Sequence, residues 1–182
     1  MHIERSATIM KTSQLAVCIL LNVANAGEQI PEFLTLAERS EYAEIVWSGK
    51  KPTIISEKTF LTLQKKPGAI VLDTQHTVAY EQLHVNGAVN LPFGQLGRSS
   101  LARIIPNRRS TILLYVPINL RPKASDPVKS ASPSWSFQLY AILRIYGYTD
   151  IYALDPKIHL PSTKILLDGV KTKKIQNQSG EP

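Results

Sequence analysis

Residues 71–92 read Val71-Leu72-Asp73-Thr74-Gln75-His76-Thr77-Val78-Ala79-Tyr80-Glu81-Gln82-Leu83-His84-Val85-Asn86-Gly87-Ala88-Val89-Asn90-Leu91-Pro92. The apolar run Ala69 to Leu72 ends at Asp73, as a strand buried on both faces does. Val78 to Leu83 fits a short helix, Asn86-Gly87 a tight turn needing positive φ, and Ala88 to Leu91 a second strand. Asp73 thus falls at the end of a strand, where it could serve as an acid, as a metal ligand or in a structural role.

Helix and strand signals alternate on both sides of this unit. Pro31 to Trp47 carries apolar residues at mostly helical spacings, with Gly49 as a stop. Ser56 can cap a second helix holding Phe60, Leu61 and Leu63, closed by Pro67-Gly68. Leu96 to Ile105 reads as a helix, Thr111 to Val116 as a buried strand, Ser136 to Tyr146 as a helix and Ile151 to Leu154 as a last strand. This order predicts an α/β layered fold with a largely parallel sheet. A length of 182 residues points to one domain, and 43% hydrophobic with 19% charged residues excludes the disordered class.

With these residues in view, 71–92 resembles the first signature of rhodanese domains, with Asp73, Tyr80, His84, Gly87, Ala88, Asn90 and Pro92 on matching positions without a gap. The stretch Leu143 to Leu154, containing Gly147 and Tyr148, resembles the family's second signature. The resemblance implies a rhodanese-like three-layer fold with a central, largely parallel sheet flanked by helices. On this reading residues 1–26 are a signal peptide, 27–50 an N-terminal helical extension, 51–160 the rhodanese-like domain and 161–182 a C-terminal tail. Asp73, Tyr80, His84, Gly87, Ala88, Pro92, Gly147 and Tyr148 are read as scaffold. His84 has no second histidine at ligand spacing, so a hydrogen-bonded structural role is favoured over a base or a metal ligand. Asp at the position of Asp73 mostly ties backbone amides together in the family.

The resemblance also locates a loss. In the family the strand equivalent to Thr111–Val116 ends in a cysteine, whose thiolate and persulfide are stabilised by inward-pointing N–H groups of a tight loop and by a helix N-terminus. Here that position is Val116, which has no lone pair to attack sulfur, and Pro117 removes a donor. Between Val116 and Ser136 the chain makes an irregular, proline-broken excursion containing Pro117, Pro122, Pro127 and Pro133. Several serines lie in or beside it, but a serine nucleophile needs an adjacent base and none accompanies them. The expectation is a degenerate active loop at Val116, Pro117 and Ser136, with no catalytic residue, no metal and no cofactor. Trp135, Arg121 and Lys123 are the candidate binding residues, Trp135 as an apolar anchor. The alternative is a sulfurtransferase-family enzyme with a non-cysteine or otherwise altered loop.

The N-terminus reads as an export signal. Lys11 precedes the apolar run Leu15 to Leu21, and Ala24-Asn25-Ala26 supplies a small-x-small cleavage site. Met10 is an alternative start. Val17 is bulkier than a lipoprotein site accepts before Cys18, which argues against lipidation, and the run is too short for a bilayer span of roughly 20 residues. Cleavage after Ala26 would remove Cys18, the chain's single cysteine, leaving no disulfide and no thiol. The formal charge of +7 permits attraction to anionic partners without establishing one. Arg98, Arg103, Arg108 and Arg109 before the strand, Arg121 and Lys123 in the loop and Lys171, Lys173 and Lys174 in the tail could hold a polyanion or an acidic envelope partner, but such charges are more often a solvated face and no aromatic interleaving argues for nucleic acid. The expected protein is a periplasmic or secreted, catalytically inactive interaction module. Its expected partner is a protein of the cell envelope, with no nucleic acid and no stable membrane anchor after cleavage.

Overall fold

The computed structural model describes residues 31, 33–115, 133–155 and 163–172, with 133–135 described by backbone alone. The chain divides into two units, through Gly49 and from Lys50 onward. In the first unit, α1 spans Leu36–Trp47. It starts five residues after Pro31 because Thr35 and Glu38 form a capping box: Thr35 Oγ1 accepts from the Glu38 N–H at 3.3 Å, and Glu38 Oε2 accepts from the Thr35 N–H at 2.9 Å.

The second unit runs β1 (Thr53–Ile55), α2 (Glu57–Gln64), β2 (Ile70–Asp73), α3 (Thr77–Gln82), β3 (His84–Val85), β4 (Val89–Asn90) and a 3₁₀ turn (Phe93–Gln95). It continues with α4 (Arg98–Ile104), β5 (Ile112–Leu114), α5 (Pro133–Ile145), β6 (Ile151–Leu154) and β7 (Leu167–Asp168). Five strands form one parallel sheet in the order β1-β6-β5-β2-β4. The expected α/β architecture, a central parallel sheet flanked by helices, is therefore the one observed. Ile112, Leu113 and Leu114 of central β5 are all buried, so its unbroken apolar run serves both faces of the sheet. One face packs Val71, Leu113 and Tyr115 with Ile55, Phe60, Leu63, Val85, Ala88, Leu154 and Ile165. The turn at Gly87 has the positive φ that its Asn-Gly sequence implied, at 77°.

Within the expected C-terminal tail, 161–182, residues 163–172 pack and pair with the fold. Strand β7 pairs antiparallel with β3, with Val85 opposite Leu167 and His84 opposite Asp168. Ile165 is buried in the core face, a contribution of about 1.5–3 kcal/mol for a fully buried side chain of its size. The Glu57 carboxylate accepts from the Thr163 hydroxyl at 3.0 Å and from the Lys164 N–H at 2.5 Å. Beyond β7, the Val170 and Lys171 N–H groups donate to the carbonyls of Glu81 and Gln82 at 3.0 Å each. Two-residue strands carry no readable periodicity, which is why β3 and β7 were not anticipated.

Gly169 makes this docking possible. Its φ is +115°, and a Cβ there would lie 2.6 Å from the Gln82 carbonyl oxygen. Gly169→Ala should therefore cost about 2–3 kcal/mol in denaturant unfolding, from backbone strain and a backbone clash combined. Gly94→Ala, where φ is ordinary and nothing lies within 4 Å, should cost under about 0.5 kcal/mol in the same measurement. Equal costs would show that the close approach does not hold β7 in place.

Candidate functional site

The register of the sheet sets Asn90, Asp73 and Tyr115 in one row. Asp73 pairs with Asn90 across β2 and β4, while Leu72 pairs with Leu114 across β2 and β5, so the next residues, Asp73 and Tyr115, are neighbours at the carboxyl end. Residues paired in this way project from the same face. Asp73 is 1% exposed and its carboxylate is surrounded by donors. Oδ1 accepts from the Gln75 N–H at 2.7 Å and from Asn90 Nδ2 at 3.5 Å. Oδ2 accepts from Gln75 Nε2 at 2.9 Å and from the Tyr115 hydroxyl. Gln75 thus supplies two donors to Asp73 and a third contact to the Leu83 carbonyl at 3.3 Å.

Tyr115 links this row to β3, because its oxygen also accepts from the Val85 N–H at 3.2 Å. Burial holds its pKa well above the ordinary tyrosine value, and the neighbouring Asp73 charge raises it further. The phenol therefore stays protonated through the neutral range and donates. Tyr80 closes the next turn: its hydroxyl donates to the Ala88 carbonyl at 2.6 Å, and its ring stacks on His84 with centroids 3.7 Å apart and 16° between planes. Burial first, then the Asp73 and Asp168 charges, raise its pKa. His84 Nδ1 donates to the Tyr80 carbonyl at 2.7 Å, which fixes the tautomer.

The remaining sequence-derived residues separate in space. Gly147 and Tyr148 precede β6 and so lie at the opposite, amino-terminal end of the parallel sheet from Asp73. Gly147 has φ +87°, and the buried Tyr148 hydroxyl donates to the Ile105 carbonyl at 2.8 Å. Ala88 is buried and Pro92 is half-buried just before the 3₁₀ turn. Ser136 is half-buried in α5. Trp135 belongs to the first turn of α5, its side chain being outside the described residues, as are Val116, Pro117, Arg121 and Lys123. Among the described residues no group of three His, Cys, Asp or Glu side chains could hold a metal. The Thr74 hydroxyl is buried beside Asp73 without a hydrogen-bond partner among the described residues.

Sequence reasoning missed Tyr115. An aromatic hydroxyl at the end of an apolar strand was its only signal, and its link to Asp73 depends on β2 and β5 being neighbours. Chemically, the described cluster is a set of neutral donors around one carboxylate, with one histidine committed to a backbone carbonyl. It orders the carboxyl ends of β2, β4 and β5 and contains no activated nucleophile.

No protein-family model matches this chain, and no curated protein does. Among solved structures it is similar to the crystal structure of the Alr3790 protein from Anabaena sp., at 14% identity and a TM-score of 0.43, over 68% of this chain and 99% of that one. It is similar to the solution structure of the rhodanese-like domain of the same protein, at 15% identity and a TM-score of 0.45, over 73% and 87%. The BH2092 protein from Bacillus halodurans is similar at 15% identity and a TM-score of 0.41, over 70% and 83%.

The Tyr115 contact has a pH signature. Because its folded pKa is raised above the ordinary value of about 10, its contribution to stability is fully present below pH 10. It is lost as pH rises further, since the unfolded chain releases the proton first, at up to about 1.4 kcal/mol per pH unit. Tyr115→Phe should cost about 1–3 kcal/mol at pH 7 by leaving the Val85 N–H without its partner and Asp73 one donor short. The same variant should flatten the alkaline fall in stability between about pH 10 and 11. Urea unfolding at the two pH values measures both, and an unchanged alkaline slope would contradict the assignment.

Proposed function

We propose that this chain is an exported rhodanese-like domain that has lost sulfur transfer and acts by binding a protein partner in the cell envelope. The observation that carries the reading is Val116, at the position where the resemblance requires a cysteine, in a sequence whose single cysteine is Cys18 of the leader-like segment. Sulfur transfer proceeds by attack of a thiolate and formation of a persulfide, and a valine side chain can do neither. The residue just before it supports the same reading, because Tyr115 is buried and held protonated against Asp73. Among the described residues no helix is long and apolar enough to cross a membrane.

Binding would then fall to the segment after Val116. Its prolines lower the entropy lost on ordering, and Trp135 at its far end is the kind of anchor that dominates interfaces. Arg121 and Lys123 would contribute charge at the rim.

Purified 27–182 should transfer no sulfur from thiosulfate or mercaptopyruvate to cyanide above background, read as thiocyanate. Turnover that survives removal of trace contaminants would overturn the inactive reading. Trp135→Ala should weaken capture of a partner from an envelope extract by more than about 1 kcal/mol, with thermal stability nearly unchanged. Loss of fold stability with unchanged capture per folded molecule would assign Trp135 to the core instead.

A further inference from the structure

Arginines gather at the amino-terminal end of the sheet, away from the Asp73 cluster. They come from α4, the segment between α4 and β5, and the last turn of α5. The Arg108 guanidinium lies over the Tyr148 ring, its Cζ 4.9 Å from the centroid. A Cβ at Gly147 would lie 3.4 Å from Arg108 Nη1, so the bare glycine leaves room for that arrangement. Arg144 Nη1 donates to the Tyr148 carbonyl at 3.5 Å. Arg98 lies over the Tyr146 ring at 5.1 Å. Arg103 and Arg109 are exposed.

The composition of this end differs from the rest of the chain. Between Glu81 and Asp126 there is no acidic residue, and between Asp126 and Asp150 there is none either. Asp150 is already engaged by the Thr111 hydroxyl at 2.6 Å and by the Tyr152 hydroxyl. Between Lys66 and Lys123 there is no lysine, so the positive charge of α4 and the following segment is carried by arginine alone. Solubility or diffuse attraction would be served by either residue type, whereas arginine offers a planar fork for bidentate oxyanion binding. The helix dipole accounts for Arg103 and Arg144, which sit in the last turns of α4 and α5. It does not account for Arg108 and Arg109.

We propose that this end of the domain docks an acidic segment of another protein, whose Asp or Glu carboxylates are taken by the guanidinium forks of Arg103, Arg108, Arg109 and Arg144. A guanidinium with one face on a tyrosine ring presents its remaining N–H donors in its own plane, where a planar carboxylate pairs side by side. Stacking also holds the fork in place, so less side-chain entropy is lost on binding. Helix α4 is only about 10 Å long, which suits a few carboxylates of a peptide. A nucleic-acid track of roughly six to ten phosphate contacts would need a longer surface. Among the described residues none of the exposed large apolar side chains lies within 98–111 or 144–150, so nothing here would insert into a lipid surface. The inference is independent of whether the segment after Val116 binds anything.

The test is a fluorescence-anisotropy titration of a labelled Glu-rich peptide of about ten residues onto the full chain, at two salt concentrations. R103E/R109E should lower affinity at least about tenfold, and the charge-preserving R103K/R109K about threefold or more. K65E/K66E, which makes the same change in net charge at two exposed lysines of the α2–β2 turn, should change affinity less than about twofold. Melting temperatures should stay unchanged; should R103E/R109E melt lower, R103Q/R109Q is read in its place, with a loss of about fivefold expected. Equal losses for the lysine and arginine pairs would overturn the site in favour of diffuse charge. Wild-type affinity in R103K/R109K would overturn the fork. Displacement of the peptide by an oligonucleotide or by phosphatidylglycerol vesicles at lower charge concentration than by unlabelled peptide would overturn the partner class.

Discussion

A carboxylate buried at 1% exposure is tolerable only if its lone pairs are answered, and the carboxyl edge of this sheet is organised around answering those of Asp73. The donors are Gln75 from its own strand end, Asn90 from β4 and Tyr115 from β5, with Tyr115 reaching on to the Val85 amide of β3. One side chain thereby fixes the relative heights of three parallel strands and the approach of a fourth segment. All of these donors are neutral. The charge is dispersed over hydrogen bonds, and each donor withdrawn leaves the buried carboxylate less well solvated.

This arrangement has a bearing on what the fold can do at that edge. Immediately after β5, Tyr115 is a buried phenol whose pKa is raised by burial and by Asp73, so it stays protonated. His84 is stacked on Tyr80 and tied to its carbonyl. Among the described residues of the carboxyl end, Gln75, Asn90 and Tyr115 all direct donors at the Asp73 carboxylate. At the other end of the sheet the guanidinium groups of Arg98 and Arg108 lie over the rings of Tyr146 and Tyr148. The two ends of one sheet thus carry opposite kinds of chemistry.

Much of the fold was legible because its signals are local. The run ending at Asp73, the Asn86-Gly87 turn and the Ser56 cap each encode structure within a few residues, and all three appear as read. Errors arose where the structure depends on distant partners. Tyr115 gains its role only from the neighbouring of β2 and β5, which no periodicity reveals. The segment 163–172 looks polar and irregular, yet Ile165 is buried because Glu57, more than a hundred residues earlier, caps the backbone beside it. The start of α1 was misplaced because Pro31 drew the boundary away from the capping box at Thr35. For the candidate site, Asp73, Tyr80 and His84 were singled out through the resemblance while their mutual contacts were not, and Val116, Arg121 and Lys123 lie outside the described residues.

The pairing of β7 with β3 joins Leu167 to Val85 across most of the domain's length. Contacts so far apart in the chain return stability only after the entropy of closing the intervening loop has been spent, and that entropy grows slowly with its length. The core face containing Val85, Tyr115 and Ile165 is consequently completed by a segment far along the chain, 163–172. Its assembly is non-local, and in a folding series the sheet and this closing strap belong to different stages of cooperativity. Amide hydrogen exchange would separate them, with the Asn86 and Val170 amides, each bonded across this seam, reporting the strap and those of Leu113 and Leu114 reporting the sheet.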